Sequence, residues 1–107
     1  MTKEHWIRLN DLLVKNYEVF QQNYKDSNTG TTPKRRRLAS RNAGFAVGRA
    51  EWYISEHEGC KLLLADYLAT KSYGREEFFQ PNYFVTDMRE FLKIVENTII
   101  SVEQRSA

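Results

Sequence analysis

The sequence contains one cysteine, two prolines and no long apolar run among its 107 residues. A lone thiol, Cys60, cannot form a disulfide within the chain, which is typical of proteins kept in a reducing compartment. The longest uninterrupted apolar stretch, residues 62–65, is too short to cross a bilayer. The first residues also lack the apolar stretch of a secretory signal. We therefore expect a cytoplasmic protein that does not enter a membrane.

Patterns that hold metals, cofactors or phosphates are also missing. His5, His57 and Cys60 are the only histidine and cysteine side chains, and neither a CxxC nor an HExxH pattern occurs. No glycine-rich loop has the spacing that cradles a phosphate. The sequence therefore predicts no metal, no cofactor and no small-molecule substrate.

What the chain does have is enough apolar material for one folded unit. Hydrophobic residues make up 41% and aromatic residues 13% of the sequence. A disordered chain has few aromatic and branched apolar residues, so this composition favours a packed core. The length is that of one domain, and we expect residues 1–107 to form it.

The apolar spacing is helical through most of the chain. The clearest stripe has spacings of three and four and contains Trp6, Leu9, Leu13, Tyr17, Phe20 and Tyr24. Thr32-Pro33 is typical of a helix start, and Thr86-Asp87 is expected to cap the last helix. We predict an all-α, compact antiparallel bundle of three or four helices, at about 2–25, 33–57, 60–72 and 86–104.

The boundary between the two middle helices is left open by the sequence. Gly59 is a suitable left-handed residue after a helix end, but no Ser, Thr, Asp or Asn directly follows it to cap a new helix. The segment therefore forms either two helices or one bent helix.

The charge is unevenly distributed along the chain. Residues 1–33 balance to zero and residues 51–107 carry −4, whereas residues 34–49, the basic segment, carry +6 without one acidic residue. Its six cations are Lys34, Arg35, Arg36, Arg37, Arg41 and Arg49. Such a segment can bind the phosphates of a nucleic acid or an acidic protein partner. It can also be simply a solvated face, or it can meet the acidic half of the same chain.

Two further features suggest contact surfaces. Gly44 and Gly48 would let another helix or a bulky aromatic approach closely, either within the chain or from a second copy; a turn at Asn42-Ala43-Gly44 is another interpretation. Aromatic residues also cluster before the last helix, where an uncovered patch would bind a protein partner. The residues of this aromatic joint are Tyr73, Phe78, Phe79, Tyr83 and Phe84.

Three functions remain. The first is a small non-enzymatic binding or regulatory protein that acts through protein–protein contact, including self-association as a homodimer. The second is a nucleic-acid-binding protein without sequence preference that uses the basic segment. The third is a small helical ribonuclease in which Arg49 and His57 form the site; seven residues separate the two, and Ala50 rather than a polar residue follows the arginine.

Overall fold

The computed structural model describes residues 2–106, with side chains for residues 2–104. Its elements are α1 (Lys3–Thr29), α2 (Pro33–Ser55), α3 (Glu58–Ala69), α4 (Arg75–Phe78) and α5 (Pro81–Ser106). The predicted all-α antiparallel bundle is confirmed, with four long helices and the single turn α4. Among the described helices, none combines the length and apolarity that a membrane span requires.

The first helix is one turn longer than its apolar stripe predicts. Residues 26–29 have loop-forming side chains, but several of these bond back to the carbonyl oxygens of the preceding turn. Ser27 Oγ donates to the Tyr24 carbonyl over 2.6 Å, and Thr29 Oγ1 donates to the Lys25 carbonyl over 2.9 Å. These bonds satisfy the polar side chains inside the helix, so that only residues 30–32 form the loop.

The second helix begins where the Thr32-Pro33 pair predicts. Thr32 Oγ1 accepts a hydrogen bond from the Arg35 backbone N–H over 3.1 Å, and Pro33 occupies the first helical position. Its buried side is made of small residues, namely Ala39, Ala43, Ala46, Val47 and Ala50, followed by Ile54. Such a surface lets α1 and α2 pack closely as an antiparallel hairpin.

The middle segment is two helices, separated at Glu56-His57. His57 itself is the N-cap of α3, because its Nδ1 accepts a hydrogen bond from the Cys60 backbone N–H over 3.1 Å. Gly59 lies inside α3, and its φ angle is not positive, so the left-handed role predicted for it is wrong. It is required for space: a Cβ there would lie 2.5 Å from Cζ2 of Trp6.

The last helix begins five residues earlier than predicted. Pro81 opens α5, and the Phe84 backbone N–H donates to the Gln80 carbonyl over 2.8 Å. The cap predicted at Thr86-Asp87 is therefore wrong: both residues lie inside the helix, where the Asp87 carboxylate accepts a hydrogen bond from the Tyr73 hydroxyl.

The molecule is elongated, with a radius of gyration of 15.0 Å and extents of 53 × 28 × 19 Å; a rounded domain of this length has a radius of gyration of about 13 Å. Phe20 meets Phe84 in the first turn of α5 at 4.8 Å between ring centroids. Lys3, at the other end of α1, lies 3.9 Å from Glu103. The end of α1 and the start of α2 therefore extend beyond α5.

Candidate protein-interaction face

One side of α2 points away from the core and is apolar. Leu38, Phe45 and Trp52 follow each other at intervals of seven residues, and 49%, 57% and 61% of their surfaces are exposed. At 100° per residue these three side chains lie about 130° from the buried alanine side of the same helix. α2 therefore has two apolar sides, of which the hairpin with α1 covers only one.

The space beside two exposed glycines of α2 is open, and one of them, Gly48, borders the apolar row. No heavy atom lies within 4 Å of a Cβ built on Gly44 or Gly48. The close approach within the chain expected at these glycines is thus wrong, and so is the turn at 42–44, because the helix is continuous there. A glycine inside a helix costs about 1 kcal/mol relative to alanine, and these two gain no contact within the chain in return.

A groove between α1 and α2 continues this surface. At one end Trp52 and Tyr53 of α2 face Leu12 and Arg8 of α1 across an open volume of about 320 Å³. At the other end Leu38 borders a second groove of about 370 Å³. We call this side of the hairpin the outward face, defined by Leu12, Leu38, Arg41, Phe45, Gly48 and Trp52.

The centre of the hairpin is fixed by a polar contact that the sequence pattern does not show. Asn16 lies in the buried stripe of α1, and its Nδ2 donates to the Ala46 carbonyl over 2.6 Å. Its Oδ1 accepts a hydrogen bond from Nε of Arg49 over 3.0 Å. An amide that bonds across two helices favours one register of the hairpin, and so fixes which α2 residues point outward. In the sequence, this contact is indicated only by one polar residue next to the apolar stripe of α1.

The basic segment lies mostly in the part of the hairpin that extends beyond α5. Five of its six cations are exposed, and Arg36 is half-buried because its guanidinium donates to the Gly30 carbonyl over 2.8 Å. In the part of the chain with described side chains, the ion pairs are Lys3–Glu103, Lys71–Glu90 and Arg75–Glu51. None of them involves the basic segment, so the acidic half does not neutralise it.

The aromatic joint forms part of the core. Phe78 and Phe84 are fully buried, and their ring centroids lie 6.1 Å apart. Tyr73 and Phe79 are partly buried and pack against this core, and the ring of Tyr73 lies tilted against that of Tyr83 at 4.7 Å between centroids. The uncovered aromatic patch expected here is not formed, because α4 turns Phe78 inward.

Arg49 and His57 have separate partners in the structure. Arg49 bonds to Asn16, whereas the buried His57 caps α3 and lies against the Trp6 ring at 4.4 Å between centroids. Burial lowers the pKa of His57, which favours the neutral ring that can accept the cap hydrogen bond. His57 thus has a structural role that its sequence neighbours do not indicate.

Cys60 is fully buried, and this burial raises the pKa of its thiol to about 12. The thiol therefore stays protonated at neutral pH, which leaves it a poor nucleophile and a poor metal ligand. Among the residues described by the structure, no three His, Cys, Asp or Glu side chains come together as a metal site.

Comparison of the chain with protein-family models, with curated proteins and with solved structures found no match.

Proposed function

We propose that this chain is a small, non-enzymatic binding protein of the cytoplasm that acts through protein–protein contact at the outward face. The observation that carries the proposal is the row formed by Leu38, Phe45 and Trp52, each about half exposed or more and all on one side of α2. Isolated exposed apolar residues, such as Leu62 on α3, are normal on protein surfaces. An aligned row of them that includes two aromatics is typical of a binding surface.

The chemistry of the outward face fits a protein partner. Phe45 and Trp52 are large and rigid, and aromatic residues of this kind supply much of the binding energy in protein interfaces. The grooves beside Trp52 and Leu38 give such a partner concave places to insert its own side chains. Arg8 and Glu56, which border the first groove, are suited to the polar rim of an interface.

A capture experiment tests this proposal. The wild-type chain, the Phe45→Glu variant and the matched control Leu62→Glu are immobilised and exposed to the lysate of the source cells. Leu62 is 66% exposed and lies on α3, outside the outward face. We expect the wild type and Leu62→Glu to retain the same proteins, additional copies of the chain included, and Phe45→Glu to lose them. Retention of the same proteins by all three would refute the proposal.

A second candidate function is binding of a nucleic acid by the basic segment. The observation in its favour is that Lys34, Arg35, Arg37 and Arg41 are exposed and close together in sequence at the protruding end of the hairpin. Neutralising several phosphates would make binding strongly dependent on salt.

Fluorescence anisotropy with labelled single- and double-stranded oligonucleotides tests the second candidate. The relevant variant is the triple change Arg35→Glu, Arg37→Glu and Arg41→Glu, which leaves the half-buried Arg36 in place. If nucleic acid is the ligand, binding weakens with added salt and the triple variant does not bind. Absence of binding by the wild type at low salt, or equal binding by both proteins, excludes this function.

A further inference from the structure

We propose that the partner at the outward face is a second copy of this chain, with the two α2 helices packed antiparallel about a two-fold axis. This inference rests on the proposed function and names the partner of the same surface. In a two-fold interface each patch must complement itself, so a residue near one end of α2 has to match a residue near the other end. Two independent properties of α2 satisfy this condition: its charge and its shape.

The charge of α2 is uneven along its length. The first half carries the basic residues 34–37 and Arg41 without any acidic residue, whereas the second half carries Arg49 and Glu51, and Glu56 and Glu58 follow just beyond its end. A parallel pair of helices would bring the two basic halves together, which is unfavourable. An antiparallel pair sets each basic half against the acidic end of the partner, and Arg35 then lies beside the partner's Glu56.

The shape of the row is complementary in the same antiparallel register. The residues that point outward are Leu38, Arg41, Phe45, Gly48 and Trp52, at spacings of three and four that form the seam of a coiled coil. Setting Phe45 over the partner's Gly48 places a large ring above the position where the partner's side chain is smallest. The same register puts Trp52 beside the partner's Arg41, a suitable pair for a cation–π contact. Since the space around Gly48 is open within the chain, the recess is free to receive the ring.

Sedimentation equilibrium of the purified chain is the first experiment. We expect a dimer of twice 12.6 kDa at micromolar concentrations. Phe45→Glu should be a monomer with an unchanged helical circular dichroism spectrum, and the control Leu62→Glu should remain a dimer. Gly48→Leu should also be a monomer, although leucine suits an exposed helix better than glycine does. A monomeric wild type overturns the inference, and so does a Gly48→Leu or Phe45→Glu variant that still dimerises.

A charge exchange tests the antiparallel orientation. Arg35→Glu puts an acid in the first turn of α2 and Glu56→Arg puts a base at its end, and both changes suit the helix dipole, so each variant is expected to fold. Each single variant places like charges side by side twice in the dimer and should raise the dissociation constant about tenfold. The double variant should restore most of the wild-type affinity. If the effects of the two single variants on the dissociation constant simply add in the double variant, so that the affinity is not restored, the antiparallel pairing is overturned.

The outcomes separate this inference from the proposed function. A monomeric wild type that captures another protein through Phe45 would overturn the second copy as the partner, while the outward face would remain a binding surface. A monomer that captures nothing dependent on Phe45 would overturn both. A dimer that Phe45→Glu and Gly48→Leu abolish, and whose orientation the charge exchange supports, would confirm both.

Discussion

Replacement of Gly59 by alanine should destabilise the protein, whereas the same replacement at Gly44 should stabilise it. Both glycines lie in helices, and neither has a positive φ angle. Their surroundings differ: a Cβ on Gly59 would lie 2.5 Å from Cζ2 of Trp6 and 3.4 Å from Cε1 of His57, whereas a Cβ on Gly44 would touch nothing within 4 Å. The two substitutions therefore separate steric crowding from helix propensity.

The expected size of each effect follows from these distances. Carbon atoms attract each other best at about 3.5–4 Å, so the Trp6 ring would have to move by about 1 Å to accommodate the new methyl group at residue 59. Trp6 is buried and its ring is rigid, and forcing extra volume into such a site costs about 1–3 kcal/mol. Alanine regains at most about 1 kcal/mol through helix propensity. We expect a net loss of about 1–2 kcal/mol for Gly59→Ala and a gain of about 0.5–1 kcal/mol for Gly44→Ala.

Urea unfolding followed by circular dichroism measures the difference, which should be about 2 kcal/mol between the two variants. Both substitutions are made in the Phe45→Glu chain, so that self-association does not contribute to the free energy of unfolding. In a domain of this size each kcal/mol corresponds to about 4–8 °C in Tm, which gives an independent measurement.

A double-mutant cycle with Trp6→Leu tests the proposed cause. Leucine removes the ring that crowds residue 59, so Gly59→Ala should cost about 1 kcal/mol less in that background. If Gly59→Ala stabilises the chain as much as Gly44→Ala does, or if its cost is the same with and without Trp6, the close approach of Trp6 is not the reason for a glycine at this position.

Three further predictions concern the caps and the hairpin. Stability should fall as the pH drops below 6.5, the ordinary pKa of histidine, by at most about 1.4 kcal/mol per pH unit, because burial lowers the pKa of His57 and the unfolded chain then binds the proton more readily. Urea unfolding between pH 8 and 5 should show a flatter profile for His57→Asn than for the wild type, and an equally steep profile in both proteins would contradict this reasoning. Thr32→Ala should lower the free energy of unfolding by about 1 kcal/mol by removing the cap of α2, while Thr31→Ala, which removes no cap, should change it little. Asn16→Ala should cost about 1–3 kcal/mol in the same assay because it removes the bonds that join the two helices of the hairpin; an unchanged midpoint would show that these bonds do not hold the register.

Periodicity was sufficient for the long helices because the apolar stripes of α1 and α5 are regular, and Thr32-Pro33 marks its helix start through local chemistry alone. The cap that the sequence analysis missed and the cap that it predicted wrongly both involve contacts between distant parts of the chain. The missed cap is His57, whose ring lies against Trp6 at the start of α3. Asp87 does not cap a helix because α5 already begins at Pro81, where the Gln80 carbonyl accepts a backbone hydrogen bond. The Asp87 carboxylate instead accepts a hydrogen bond from the Tyr73 hydroxyl.

The candidate site was predicted less well than the fold, and burial explains the difference. The sequence shows that five aromatic residues cluster at 73–84, but only the packing of the single turn α4 shows that Phe78 lies in the core. Conversely, the basic segment is exposed, as expected for a binding surface or a solvated face. It does not meet the acidic half of the chain, several of whose carboxylates have other partners. Glu90, for example, accepts hydrogen bonds from Tyr67 and Lys71.

The outward face could not be predicted from the sequence because α2 buries its small apolar side chains and exposes its large ones. Its buried side carries alanines and its exposed side carries Leu38, Phe45 and Trp52, so a search for the bulkiest stripe selects the wrong side as core. The small residues are buried because α1 must approach closely enough for Asn16 to reach the Ala46 carbonyl. Once α1 covers the alanine side, the large apolar side chains remain about half exposed or more. The exposed apolar side of α2 is therefore the surface on which the proposed partner would bind, and the uneven charge along α2 is the reason for proposing a second copy of the chain.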